Sequence, residues 1–205
     1  MGGRGASSFN GAGGKGGLLP ESRGRDNSKQ FDVSIFKGSK IKSMKDFEKL
    51  MQMTGLKREM AFLSSSDGTI LAAARGDKHS VGVAYAGDQA GLTLTHNHPD
   101  TYGGTFSTAD INHLTRANLA EIRAVAKEGT YSLRATKNAR PLDFNRALNK
   151  DYKKIVAKAQ VNHNKARTEG KSRTEQRKAY TDTLSNWYRA NAKKYGYEYK
   201  TTAHK

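Results

Sequence analysis

The chain has 205 residues, no cysteine and a formal net charge of +17. Its length permits one hydrophobic core and at most a small second unit, and the absence of cysteine excludes disulfides and zinc sites built on thiolates. Its mean hydropathy is -0.81, and no apolar run approaches the roughly 18 residues of a membrane span. We therefore expect a cytoplasmic protein with no membrane contact and no secretory signal.

Residues 1–34 predict a disordered, glycine-rich leader. Eight of the first seventeen residues are glycine, and apolar side chains are too sparse to offset the entropy of the chain. The stretch GAGGKGG is reminiscent of a phosphate-binding loop, but Lys15 is followed by Gly16 instead of Ser or Thr, and no strand precedes it. We interpret this stretch as a flexible linker.

Residues 35–140 predict an α+β domain. Its first helix, SMKDFEKLMQM, starts with Ser43 and Asp46 at the spacing of a capping box. A second, short helix is predicted over residues 107–118. The predicted strands lie in four stretches: EMAFLSSSDGTILAAA, with two strands around a turn at residues 66–68; HSVGVAYAG; AGLTLTHNH; and EIRAVAKEGTYSLRAT, a hairpin that turns at residues 128–129.

Residues 141–205 predict a basic helical extension. Pro141 ends the preceding domain, and apolar residues then recur at helical spacing in two segments separated by TEGKS. Ser172 and Glu175 have the spacing of a second capping box. The pattern predicts a helical hairpin whose aromatic residues form a packing face. We expect the last stretch, YGYEYKTTAHK, to fray.

The positive charge is concentrated in this extension. Residues 145–205 contain 16 Lys and Arg against 5 Asp and Glu, which is +11 of the total +17. Two interpretations stay open: a surface that binds nucleic acid or an acidic protein partner, and the solvated face of a helical tail. The residues predicted to make the contacts in the first case are Lys150, Lys153, Lys154, Lys158, Arg173, Arg177 and Lys178.

The stretch LTHNHPDTYGGTFSTAD, residues 94–110, has the pattern of a metal site. Alternate residues of a strand point to the same side, so His96 and His98 project together and offer two nitrogen ligands, to which Asp110 can add an oxygen. Three protein ligands with an open fourth position are typical of catalytic zinc. The alternative is that Ser107 and Asp110 only form the capping box of the next helix.

A hydrolase also needs a carboxylate that is not a metal ligand, to accept a proton from the attacking water. The acidic residues of the predicted domain that precede the histidines are Asp46, Glu48, Glu59, Asp67, Asp77 and Asp88. Only Glu59 opens an apolar strand, whereas the others fit the surface of a helix or a turn. Glu59 is therefore the candidate general base, and an exposed strand end is the alternative.

A strand-opening Glu, then His-x-His-Pro, then Ser-x-x-Asp resembles the JAB/MPN (JAMM) family of metalloproteases, and HNHP is similar to its prokaryotic RadC-like branch. The similarity covers residues 59–136. It implies a central mixed β-sheet flanked by helices, an architecture shared with cytidine deaminases. It also implies zinc ligated by His96, His98 and Asp110, with Glu59 as the base and Ser107 as an oxyanion donor. Two features depart from the family: PDTYGGTF places eight residues before the serine instead of seven, and Phe106 replaces a common proline.

The resemblance implies a zinc-dependent metallohydrolase that cleaves an amide or isopeptide bond in a protein or peptide conjugate. The alternative is a protein of the same fold without peptidase activity, bound to nucleic acid or to a phage particle. The opening MGGRGASS is similar to the ends of some phage and mobile-element proteins, which implies association with a virion if the gene belongs to a phage.

Overall fold

The computed structural model describes residues 33–54, 58–99 and 105–204, so the predicted leader lies almost entirely outside the described residues. The described part contains four α-helices and a mixed sheet of six strands. The predicted α+β class is therefore confirmed. The strands are β1 (Met60–Ser64), β2 (Ile70–Arg75), β3 (Thr93–Asn97), β4 (Glu121–Val125), β5 (Gly129–Ala135) and β6 (Tyr197–Ala203); the helices are α1 (Met44–Thr54), α2 (Thr108–Arg116), α3 (Pro141–Thr168) and α4 (Arg173–Asn191).

The sheet has the strand order β2-β1-β3-β4-β5-β6. Strand β1 pairs antiparallel with β2 and β3, and the strands from β4 to β6 are also antiparallel. Only the β3–β4 pair of this sheet is parallel, so the chain must cross over between these strands, and α2 makes that crossover. Both predicted hairpins, β1–β2 and β4–β5, are confirmed.

Each face of the sheet is covered by helices. Alternation along β1 directs Met60 and Phe62 to the α1 side, where they pack with Phe47 and Met51. Ala61 and Leu63 point to the opposite face, where one large core joins the sheet to α2, α3 and α4. The large, fully buried residues of that core include Ile111, Leu114, Phe144, Leu148 and Tyr188.

Helix α1 is attached to the sheet by charge as well as by apolar packing. The buried carboxylate of Glu48 forms an ion pair with Arg123 of β4 and accepts a hydrogen bond of 2.9 Å from the hydroxyl of Thr130. Arg123 also pairs with Glu121, at 2.6 Å. Because these charged groups satisfy one another, they can be held in the interior with little exposure to water.

The prediction of a strand in HSVGVAYAG is wrong, because residues 79–87 pair with no strand in the structure. The Asp77 carboxylate accepts hydrogen bonds from the backbone amides of His79 and Ser80, at 2.7 and 2.8 Å, which turns the chain at the start of this segment. Val83 is buried in the main core, with Val81 and Tyr85 packed beside it. The alternating apolar pattern therefore reflects packing of an irregular segment, and it does not reflect a ladder.

The two helices predicted after residue 140 are confirmed. Helices α3 and α4 lie antiparallel, since Asn162 bonds Thr183 and Trp187 bonds Asp151 between them. The frayed end predicted for YGYEYKTTAHK is wrong, because β6 pairs with β5 from Tyr197 to Ala203. Residues 141–204 thus share both the sheet and the main core with the residues before them. Within the described residues, no helix has an apolar stretch long enough to cross a bilayer.

Gly196 makes the turn that leads into β6. Its φ is +79°, and a Cβ built there would lie 2.2 Å from the carbonyl oxygen of Asn138. Its own carbonyl accepts hydrogen bonds from the amide and the hydroxyl of Thr136, at 2.9 and 2.8 Å. A residue with a side chain at this position would have to adopt an unfavourable left-handed conformation, and its Cβ would clash with the backbone of Asn138.

We expect Gly196→Ala to lower the free energy of unfolding by more than the roughly 1 kcal/mol that a left-handed alanine costs, because the neighbouring backbone must also move. Gly170→Ala is the matched control, since Gly170 has a φ of +71° with open space around its Cβ position. Urea unfolding followed by circular dichroism measures both variants. Equal losses in the two would contradict the close approach at Asn138.

Candidate metal centre

The two histidines of the site are fixed by the centre of the sheet. His96 lies on β3, opposite Ala61 of the antiparallel neighbour β1 and beside Ala124 of the parallel neighbour β4. One residue past the strand, the amide of His98 donates a hydrogen bond of 2.8 Å to the carbonyl of Val125. Both imidazoles are buried, with 3% and 8% of their surfaces exposed. The predicted projection to one side of the sheet is confirmed by their ring centroids, which lie 4.8 Å apart.

Asn97, between the two histidines, points away from them and ties β3 to the start of β1. Its Oδ1 accepts a hydrogen bond of 2.6 Å from the amide of Met60, and its Nδ2 donates one of 3.1 Å to the carbonyl of Arg58. These bonds hold the chain on both sides of Glu59. No role for Asn97 was predicted from the sequence. The signal present there was a polar residue between the two histidines of His-x-His.

Asp110 is positioned by the start of α2. Ser107 is the N-cap residue: its hydroxyl accepts a hydrogen bond from the Asp110 amide at 3.3 Å. In return, Oδ2 of Asp110 accepts hydrogen bonds from the amide of Ser107 at 2.6 Å and from its hydroxyl at 2.8 Å. The predicted capping box is therefore present. It fixes the rotamer of Asp110 and leaves Oδ1 free to face the histidines.

The remaining carboxylate oxygen completes a group of three ligand atoms. Oδ1 of Asp110 lies 3.3 Å from Nε2 of His96, and this nitrogen lies 3.0 Å from Nε2 of His98. All three ligand atoms lie within 4.8 Å of one another. Two ligands on a tetrahedral zinc ion, each at about 2.0–2.1 Å, are separated by about 3.3 Å. The two shorter contacts of this group therefore match the edges of such a site.

Hydrogen bonding within the group accounts poorly for this convergence. A neutral imidazole carries a single ring proton, so one proton on Nε2 of His96 cannot serve both His98 and Asp110 with good geometry. A divalent cation accepts lone pairs from all three atoms at once. Two imidazole nitrogens and one carboxylate oxygen are also a donor set that divalent transition metals prefer. The buried group of His96, His98 and Asp110 can hold a metal ion.

The electrostatics of the site favour the ionised aspartate. Burial acts to raise the pKa of Asp110, but the charges of His96 and His98 and the two hydrogen bonds from Ser107 outweigh it, so the pKa lies below its usual value. One helical turn further, burial lowers the pKa of His113, whose Nε2 lies 2.7 Å from Oε1 of Gln89. The two hydrogen bonds from Ser107 favour the anionic carboxylate of Asp110 whether or not the imidazoles are charged.

Glu59 is not a member of this group. It precedes β1, where its amide donates to the carbonyl of Asp77 and its carbonyl accepts from the amide of Gly76, both at 2.7 Å. Glu59 is two residues before Ala61, which faces His96 across the β1–β3 pair. Strand alternation therefore directs the Glu59 side chain to the same face of the sheet as the histidines. Only 9% of its surface is exposed.

Ser107 is close to the group, since its hydroxyl donates to Asp110. The role of Ser107 as an oxyanion donor, expected from the resemblance, stays a prediction. In the structure its hydroxyl contacts the carboxylate of Asp110. The extra residue in PDTYGGTF does not prevent Asp110 from reaching His96. Residues 100–104 of that loop lie outside the described residues. The basic residues predicted to bind a polyanion lie on α3 and α4 and are not part of the ligand group.

The C-terminal elements hold the segment that leads into Ser107. The buried hydroxyl of Tyr188, on α4, donates a hydrogen bond of 3.1 Å to the carbonyl of Phe106. Burial raises the pKa of Tyr188 well above its usual value, so this hydroxyl keeps its proton. The Phe106 ring packs edge-on against Tyr188 and against Tyr199 of β6, with centroids 5.8 and 6.4 Å apart. Sequence reasoning recognised the aromatics of α4 as packing residues but missed this link to the site.

Comparison with protein-family models, curated proteins and solved structures returned no match to this chain. The case for the site therefore rests on its geometry.

We expect the purified protein to bind one zinc ion per chain at about pH 7.5, and His96→Ala or His98→Ala to bind none. Because protons compete with the metal for imidazole nitrogen, uptake should fall as the pH is lowered. Native mass spectrometry and equilibrium dialysis measure the stoichiometry. His79→Ala, at an exposed histidine, is the control; zinc uptake unchanged by the loss of either ligand would refute the site.

We expect Ser107→Ala to cost about 1 kcal/mol of stability through the lost cap and to weaken zinc binding by about 10- to 100-fold, since it removes one of the two donors that orient the Asp110 carboxylate. Ser107→Thr, which keeps a hydroxyl, should retain most of the stability and most of the zinc affinity. Ser172→Ala is the matched control, because Ser172 forms an equivalent capping box with Glu175 at the start of α4. It should lose similar stability and keep its zinc affinity, and a loss of affinity in this control would contradict the assignment.

Proposed function

We propose that this protein is a zinc-dependent hydrolase that cleaves an amide or isopeptide bond in a protein or peptide conjugate. The observation that carries the proposal is the convergence of the Nε2 atoms of His96 and His98 with Oδ1 of Asp110, at 3.0 and 3.3 Å. The sequence resemblance to the JAB/MPN family, and to its RadC-like branch, supports the same reaction class, because it assigns the same three residues as ligands.

The ligand set favours zinc and a catalytic role for it. Catalytic zinc is commonly held by three protein ligands drawn from histidine and carboxylate, whereas structural sites are closed by four. Within the described residues, the group contains three ligands. When bound, zinc lowers the pKa of a coordinated water to about 7 and polarises a substrate carbonyl.

Glu59 supplies the base in this proposal. It is a buried carboxylate on the histidine face that is not a ligand, so it is available to accept the proton of the attacking water and to deliver it to the leaving amine. The Asn97 bonds to Met60 and Arg58 fix the backbone on either side of it, which limits the positions that its side chain can take.

Ser107 serves two purposes in this proposal. Its amide and its hydroxyl both donate to Oδ2 of Asp110. The hydrogen bond of 2.6 Å from the Ser107 amide to Asp110 stays in place when the hydroxyl turns to a substrate oxygen that becomes negative during attack. A side-chain donor of this kind accounts for about 10²–10³ in kcat in other hydrolases.

We expect Glu59→Gln to bind zinc at the wild-type stoichiometry and to lose at least about 100-fold in hydrolysis, because the amide cannot accept the proton. The assay is a library of fluorogenic peptides and of lysine-linked isopeptides, with zinc content measured on the same samples. Glu198→Gln, at an exposed carboxylate on β6, is the matched control and should keep full activity. Full turnover by the Glu59→Gln protein would refute this mechanism.

A further inference from the structure

Helix α3 has one buried face and one face on which positive charge predominates. It is 28 residues long, about 42 Å, and Phe144, Leu148, Ile155 and Ala159 bury its inner side in the main core. The exposed residues of the helix include seven basic ones and no acidic one. They are Arg146, Lys150, Lys153, Lys154, Lys158, Lys165 and Arg167.

Four of these cations form a single row. Arg146, Lys150, Lys154 and Lys158 follow one another at intervals of four residues, which places them on one side of the helix with a rise of about 6 Å per step. We call these four residues the basic ridge. Like charges one turn apart disfavour the helix that carries them, and a face that serves only solubility generally intersperses both signs.

Neither acidic residue of α3 forms an ion pair with the ridge. Asp151 accepts a hydrogen bond of 3.1 Å from the indole of Trp187, on α4, and Asp143 pairs with Arg140 at 3.6 Å, at the start of the helix. Within the described part of the chain, the four cations of the ridge therefore have no ion-pair partner.

We propose that the basic ridge binds the phosphate backbone of nucleic acid. A row of cations about 18 Å long along one side of a helix is complementary to a linear polyanion, since duplex DNA presents one charge per about 1.7 Å of its axis. An acidic protein would be recognised through apolar and aromatic anchors beside the charges. The large apolar residues exposed on α3 are only Leu142 and Val161, and its aromatic residues are buried or half-buried.

The chemistry of the ridge also predicts how it binds. Lysine and arginine contacts to phosphate position a protein on the duplex without reading its sequence, so affinity should be similar for unrelated sequences. Four phosphate contacts correspond to a slope of about −3.6 in a plot of log K against log salt. Binding should accordingly weaken by about 100-fold between about 50 and 200 mM salt.

The test uses the full chain, a labelled duplex of random sequence and fluorescence anisotropy over a range of salt concentrations. In the ridge variant, Arg146, Lys150, Lys154 and Lys158 are all replaced by Gln, and we expect at least tenfold weaker binding at low salt with a slope that is less steep by about 3. The matched control replaces Lys37, Lys42, Lys45 and Lys49, four exposed lysines at or near α1, on the opposite side of the sheet. It loses the same charge and should bind within threefold of the wild type.

Equal weakening in the ridge variant and the control would overturn the proposal, because binding would then follow net charge alone. A ridge variant with unchanged affinity would overturn it as well. Poly-glutamate of matched charge serves as the competitor: if it displaces the duplex as well as unlabelled DNA does, the ridge is a site for acidic protein and the assignment to nucleic acid is wrong. Since the replaced residues are exposed, circular dichroism should show the same fold in all variants. His96→Ala should bind DNA normally, which separates this test from that of the proposed hydrolase.

Discussion

The carboxylate of Asp110 joins the first turn of α2 to the end of β3, and the candidate site depends on how its two oxygens are shared. Oδ2 is held by the amide and the hydroxyl of Ser107, and Oδ1 faces Nε2 of His96. A capping box usually only stabilises a helix start. Here the same contacts direct the second oxygen of Asp110 toward two buried imidazoles. One side chain therefore both caps the helix and belongs to the candidate site. The parallel β3–β4 pair requires the crossover that places this helix start beside the histidines.

This arrangement explains why the interior tolerates so polar a group. Two buried imidazoles and a carboxylate at hydrogen-bonding distance would be costly if each were isolated from water. The donors of Ser107 favour the ionised form of the aspartate in spite of its burial. A second buried polar cluster lies on the opposite face of the sheet, where Arg123 forms ion pairs with Glu48 and Glu121. The two polar clusters differ in that the second is closed by its own charges, whereas the first presents three ligand atoms to one point.

Much of the fold could be predicted from local sequence patterns. The capping box at Ser107, the projection of His96 and His98 to one side, and both hairpins depend on contacts within a few residues, and the structure contains them. The predictions that were wrong concern segments whose structure depends on contacts with residues distant in the sequence. Residues 79–87 alternate like a strand but pack irregularly on the core, and β6 forms because the exposed edge of β5 provides a partner. The hydrogen bond from Tyr188 to Phe106 spans 82 residues, so no periodic pattern could indicate it.

That last contact also determines when the site is complete during synthesis. All three ligands and Glu59 lie in the first 110 residues of the chain, yet Phe106 is held by Tyr188 and packs against Tyr199. A nascent chain therefore carries every ligand long before it carries the residues that order the segment leading to Asp110. Such long-range closure is slow relative to the formation of helices and hairpins. We infer that the segment leading to Asp110 reaches its final position only after α4 and β6 have docked.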